Sequence, residues 1–131
     1  MKPLSILVAD DEEHIRDLTQ LWLTNAGYTV ACASTGSEAL KLHGKQHFDL
    51  LVTEVIMRDG DGLSVILSRR KARPPVRILA ISAGGKYLQA ENCVRLAKGL
   101  GAHATLFKPF NRQAFLDAGS RALPAASEAA G

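Results

Sequence analysis

Cysteine is scarce in this chain: Cys32 and Cys93 are the only two among 131 residues. They lie far apart and match neither a zinc spacing nor a disulfide framework, so two reduced, mostly buried thiols are expected. Long apolar runs are missing too, and none approaches the ~18 residues that a membrane span requires. The opening stretch MKPLSILVADDEE passes from a short apolar run straight into acids. It therefore lacks the longer apolar segment and small-residue cleavage site of a secretory leader, and a cytoplasmic protein is expected. Strong charge of one sign is also absent. A net charge of +3 does not by itself argue for nucleic acid as a partner. The histidines His14, His43, His47 and His103 form no metal-binding pattern and read as surface or partly buried. The length suits one domain with one core.

What the chain does have is a regular alternation of short apolar runs and helical periods. SILVA (5–9), YTVACA (28–33), DLLVTE (49–54), VRILAIS (76–82) and ATLF (104–107) read as five strands. Between them, Ile15, Leu18, Trp22 and Ala26 recur at helical spacing from Glu12 to Gly27, with acids crowding the first turn and glycine ending it. Trp22 on that stripe is most simply a core residue. Ser34 or Thr35 caps a second helix running to about Lys45. A third covers Gly62–Lys71 and is stopped by Pro74-Pro75, and a fourth runs from about Lys86 to Leu100 before Gly101. A last helix spans about Asn111–Leu123. The tail 124–131, PAASEAAG, is expected to be a flexible extension of a domain covering 1–123. The whole is a (βα)₅ pattern. Strands that are continuous apolar runs suit a doubly wound α/β fold, a parallel sheet covered on both faces.

In such sheets the working groups stand at the carboxyl ends of the strands. Here those groups are Asp10 and Asp11 after the first strand, Glu54 at the end of the third, Ser82 at the end of the fourth and Lys108 after the fifth. Each alone has a bland explanation: an acid pair caps a helix, a serine turns a loop, a lysine is solvated. Together they are harder to dismiss. Carboxylates crowded at one edge repel unless a cation intervenes. Lys108 supplies one cation, and a hard divalent ion such as Mg²⁺ is suited to supply another.

The segments ILVADDE, FDLLVTEVIMRDGDGL, ILAISA and LFKPF resemble the receiver domain of bacterial two-component response regulators. The resemblance covers about residues 4–122, and its spacing is specific. It implies a CheY-like, flavodoxin-like strand order 2-1-3-4-5 and a signalling module in a phosphorelay rather than an enzyme. It implies a metal site for Mg²⁺ made by Asp10, Asp11, residue 54 and the backbone carbonyl of Ile56. It makes residue 54 the phosphoacceptor, and Ser82, Thr105 and Lys108 the phosphoryl and switch contacts. Lys108-Pro109 becomes a candidate cis bond. The implied partner is a histidine kinase or another signalling protein, with neither membrane nor nucleic acid expected. A homodimer through the fourth helix, fifth strand and fifth helix is compatible with the resemblance.

The departures matter more than the match. Glu54 stands where the family has the phosphorylatable aspartate, Arg58 where it usually has proline, and Thr105 where it usually has an aromatic switch residue. One extra methylene pushes a carboxylate outward by roughly 1.3–1.5 Å, about one C–C bond. Phosphoryl transfer depends on positioning, and an error of ~1 Å can cost ~10²-fold. Glu54 is thus expected to be a poor acceptor. Its reach carries negative charge toward Ser82 and Lys108, a partial imitation of a phosphorylated aspartate with one charge in place of about two. A Glu54–Lys108 pair would compete with Mg²⁺, so weak metal binding is expected. Without a ring at Thr105, a rotamer change there cannot report occupancy. Gly84-Gly85 is read either as a mobile loop or as a plain turn.

Three function classes follow. The first is an atypical receiver acting alone by protein contact with Glu54 unphosphorylated, since no effector region follows the last helix. The second is a working phosphoreceiver, through slow acceptance at Glu54, through Asp59 or Asp61, or with Glu54 an engineered change from aspartate. The third is a small Mg²⁺-dependent phosphohydrolase using the same acids; against it, the chain offers no obvious lid segment. The basic run Arg69, Arg70, Lys71, Arg73 and Arg77 reads as a solvated surface, or secondarily as a contact for an acidic partner or nucleic acid.

Overall fold

The computed structural model describes residues 3–57, 62–72, 75–82, 92, 95, 98–99 and 101–123. Five strands, β1 (Ser5–Ala9), β2 (Thr29–Ala33), β3 (Leu50–Glu54), β4 (Arg77–Ser82) and β5 (Ala104–Phe107), form one parallel sheet in the order β2-β1-β3-β4-β5. The helices are α1 (Glu13–Asn25), α2 (Gly36–Lys45), α3 (Gly62–Arg69) and a C-terminal helix (Arg112–Ala122). Of the fourth expected helix only Asn92, Arg95, Lys98 and Gly99 are described, all of them helical. The tail, Arg58, Asp59, Asp61, Gly84, Gly85 and Cys93 lie outside the described residues.

The strands alternate, because successive side chains point to opposite faces of a pleated sheet. Leu7, Leu51, Ile78 and Ala80 face α2 and α3, where Ala39, Val65, Ile66, Phe48 and Met57 complete one core layer. Ile6, Val8, Leu50, Val52, Leu79 and Ile81 face the other way, onto Leu23 of α1 and Phe115, Ala118 and Ala122 of the C-terminal helix. The middles of β1, β3 and β4 are therefore apolar on both faces, which explains the continuous runs in the sequence.

The helix ends follow local chemistry. Thr35 caps α2 by accepting from the Glu38 N–H at 3.1 Å, and Glu38 Oε1 accepts from the Ser34 N–H at 2.8 Å. Asn111 caps the C-terminal helix by accepting from the Ala114 N–H at 2.8 Å. Gly27, with φ of 100°, takes the chain out of α1 into β2.

The buried stripe of α1 differs from the expected one. Thr19 and Leu23 are its buried residues, whereas Leu18 is 42% exposed and Ala26 is exposed. A hydroxyl hid the true face from a hydropathy reading. Thr19 is buried without an orphaned group because its Oγ1 donates to the Ile15 carbonyl at 2.7 Å. Trp22 is half-buried, its ring centroid 6.3 Å from Phe110 and 5.8 Å from Phe115. Cys32 is free and half-buried.

Candidate functional site

Strand register brings the carboxyl ends level. Ala9 pairs with Thr53, Glu54 with Ile81, and Ser82 with Phe107. Asp10 thus leaves β1 beside Glu54, and Lys108 leaves β5 one position beyond Ser82. The Lys108 N–H donates to the Ser82 carbonyl at 2.8 Å, so strand pairing continues to the lysine itself. The Lys108-Pro109 bond is cis. Gly62 opens α3 against the strand end that holds Glu54. A Cβ at Gly62 would run into the carbonyl oxygens of Glu54 and Val55, so only glycine permits this approach.

The Lys108 ammonium sits among three carboxylates. Nζ lies 2.7 Å from Glu12 Oε2, 2.9 Å from Asp10 Oδ2 and 3.0 Å from Glu54 Oε1. Asp10 and Glu54 are buried, while the Glu12 side chain is 44% exposed. Asp10 does two jobs. Its Oδ1 accepts from the Glu12 N–H at 2.9 Å, tying down the start of α1, and its Oδ2 forms the ion pair. The helix-capping reading of Asp10 and the charge-site reading are thus both realised in one side chain. Arg16 Nη1 donates to the Asp10 carbonyl at 2.8 Å and holds the turn.

Three carboxylates against one ammonium leave an excess of negative charge in a buried place. Glu54 carries the consequence. Burial, followed by repulsion from Asp10, raises its pKa from the ordinary 4.5 to about 8, against the opposing pull of Lys108. Burial alone would lower the pKa of Lys108, but its hydrogen bond to Glu12 and its pairing with the Asp10 carboxylate outweigh it and push the ammonium above its usual range. At neutral pH the cluster therefore keeps its lysine charged and favours a proton on Glu54. Glu54 Oε2 is buried with no hydrogen-bond partner. Asp10 Oδ2 is likewise buried and, though ion-paired, accepts no aligned hydrogen bond.

The oxygens of Asp10, Glu12 and Glu54 come within 4.8 Å of one another. The unpartnered Glu54 oxygen and the all-oxygen donor set fit a hard divalent cation such as Mg²⁺. Such an ion would relieve the repulsion that now raises Glu54, in competition with Lys108. Sequence reasoning missed Glu12. Its only signal was its place as the third acid of the run DDEE.

The remaining expected residues fall around this cluster. Asp11 is half-buried and close enough to add repulsion on Glu54, but it is outside the three-acid set. Ser82 is buried at the end of β4, one residue past Ile81, the register partner of Glu54. Thr105 is half-buried in β5, in register with Ala80. Ile56 is 37% exposed, two residues past β3. A cavity of about 400 Å³ opens beside the ammonium, lined by Glu12, His14, Ile15, Lys108, Pro109 and Phe110.

The profile of the response regulator receiver domain matches residues 6–119. Among curated proteins, the transcriptional regulatory protein GlrR of Escherichia coli is 29% identical over 97% of this chain and 29% of its own length. The DNA-binding transcriptional regulator NtrC of Azospirillum brasilense is 33% identical over 94% of this chain and 25% of its own. The chain thus spans only between a quarter and a third of these relatives. Among solved structures, the chemotaxis response regulator CheY4 of Vibrio cholerae superposes with a TM-score of 0.81 at 28% identity, covering 92% of this chain and 99% of that one. A Burkholderia pseudomallei response regulator, solved with a phosphorylated aspartic acid, a calcium ion and citrate, gives a TM-score of 0.78 at 29% identity over 97% of this chain and 71% of that one.

Proposed function

The chain belongs to the response regulator receiver domain family of two-component signalling, and from that premise we propose that it is an atypical receiver whose state is set by Glu54 rather than by a phosphoryl group. One observation carries this reading: Glu54 already occupies the ammonium of Lys108, at 3.0 Å. A longer side chain at the acceptor position has brought its own carboxyl to the lysine that would otherwise meet an incoming phosphoryl oxygen. Receivers work through histidine kinases and other signalling proteins, and this domain would present its state to such a partner by contact.

Asp10, Glu12 and Glu54 are the residues that would hold Mg²⁺, with Asp11 and the Ile56 carbonyl as further oxygen donors. The ion would supply charge neutralisation for phosphoryl chemistry. This chain's own residues determine how much room it finds. Lys108 takes one oxygen of each acid, and Glu54 prefers a proton at neutral pH, so metal binding is weak and strengthens as pH rises.

A second reading, a working phosphoreceiver, is favoured by the likeness to the phosphorylated Burkholderia protein, whose acceptor is an aspartic acid. Intact mass after incubation with acetyl phosphate and Mg²⁺, run beside Glu54→Asp, separates the two. The expected result is a phosphoryl adduct on the variant and none on the native chain. An adduct on the native chain would overturn the proposal and turn attention to the acid that carries it.

A further inference from the structure

A second charged site lies at the opposite, amino edge of the sheet. α2 ends at Lys45 just before β3, and α3 ends at Arg69 before β4, so their last turns converge there. Between them is a cavity of about 320 Å³ lined by His43, Gly44, Lys45, Gln46, His47, Arg69 and Ala72. Among the described residues no carboxylate lines it. Arg69 has no carboxylate partner among the described residues: Nη2 donates to Ser68 Oγ at 3.1 Å, and Nη1 lies 3.4 Å from His43 Nδ1. His43 is 8% exposed, its ring set 5.6 Å from Phe48 and 6.4 Å from His47. Both His43 Nε2 and Arg69 Nε are buried without a hydrogen-bond partner.

Helix polarity explains part of this. Cations gather in the last turns of helices because the terminal carbonyls carry partial negative charge. That effect does not call for a cavity, and it does not leave two buried nitrogens unpaired, which is costly. Burial and the Arg69 charge both lower the His43 pKa, so this ring is held neutral. With Nδ1 facing an Arg69 N–H as acceptor, the ring proton belongs on Nε2, and that unpartnered nitrogen is a donor. Asp49, off the described lining, accepts from the Ser5 N–H at 2.8 Å and lies 3.6 Å from the lining residue His47. The described lining thus joins a guanidinium fork, an ammonium and two imidazoles, of which His47 is paired with Asp49.

We propose that this cavity binds a small phosphate-bearing anion, with Arg69 as the principal charged contact and His43, His47 and Lys45 around it. Guanidinium geometry suits bidentate pairing with phosphate oxygens, and the volume admits a phosphate monoester rather than a bare ion alone. The site is independent of the Glu54–Lys108 cluster, which lies at the other edge of the sheet.

The histidines supply their own reporters. His14 lines the cavity beside Lys108, whereas His43 and His47 line this one. Ring resonances of the full chain are followed during titration with inorganic phosphate, then with glycerol 3-phosphate, against sodium chloride at matched ionic strength. The expected result is saturable movement of His43 and His47, a raised His43 pKa in the bound state and a silent His14. Arg69→Met should weaken the affinity about tenfold or more. If that variant loses its folded amide spectrum, Lys45→Gln, at an exposed position, should still weaken binding several-fold. Tighter binding of the ester than of phosphate would identify a phosphorylated metabolite as the ligand class; equal binding would identify free phosphate. Movement of His14 alone, non-saturating shifts that chloride reproduces, or affinity unchanged in both folded variants would each overturn the proposal.

Discussion

At the carboxyl edge of the sheet, three carboxylates share one ammonium; at the amino edge, Lys45, His47 and Arg69 surround a neutral imidazole, with no carboxylate among the described residues of the cavity wall. The same parallel sheet separates them, and the apolar layers between are alike in kind. The difference teaches where a doubly wound fold keeps its charge. Its strands are buried on both faces, so polar chemistry is confined to the two edges where chains turn. The acidic edge is over-filled and has recruited its cation from the far end of the chain. The basic edge is under-filled and has donors to spare.

Removing Lys108 breaks the acidic edge most severely. Lys108→Met leaves Asp10, Glu12 and Glu54 without their shared cation, and stability should fall by about 3 kcal/mol or more near pH 8. The loss should shrink at lower pH as Glu54 takes up its proton, which urea melts at two pH values would show. Unchanged stability at both would mean that the ammonium is solvated rather than shared.

Changing Glu54 itself is a milder test. Its folded pKa of about 8 lies above the ordinary 4.5, so the folded chain holds more protons than the unfolded one between those values. Stability contributed by this group is therefore fully present below about pH 4.5 and is lost as pH rises toward 8. Glu54→Gln should flatten that slope and exceed the native chain by about 1 kcal/mol at pH 8. Thermal melts across the range check it, and a native slope of the opposite sign would refute it.

The smallest effect is expected at the basic edge. Arg69→Met should change stability by less than about 0.5 kcal/mol, because no ion pair among the described residues is lost. His43, relieved of one of the charges that depress it, should titrate higher in the variant, as its ring resonances would record. A large loss of stability would show that Arg69 supports the fold and would erase the contrast between the two edges.

Much of this was legible in the chain. β1 and β5 begin and end where their apolar runs do, and Asp10, Glu54 and Lys108 meet because each stands at a strand end. What failed to show depends on contacts between distant segments. Glu12 looks like any first-turn acid until Lys108, 96 residues away, is placed against it. Thr19 looks polar until its hydroxyl is seen bonded to its own helix. The amino-edge cavity is hidden for the same reason. Arg69 reads as one member of a solvated basic run, and His43 as one of four scattered histidines, because nothing local says that α2 and α3 finish side by side.

The shared ammonium also bears on how the chain assembles. Asp10, Glu12 and Glu54 belong to the first 54 residues, whereas their cation arrives only with the fifth strand. A partly folded chain in which β1 and β3 have paired but β5 has not would gather these acids with no positive charge among them. It would have to hold extra protons, and docking of the last strand would expel some of them. Refolding in weak buffer with a pH indicator should therefore show proton uptake as the acids gather and a smaller, partial release as β5 docks, and Lys108→Met should lack that release. Closure of the sheet would then be an event that the solvent itself records.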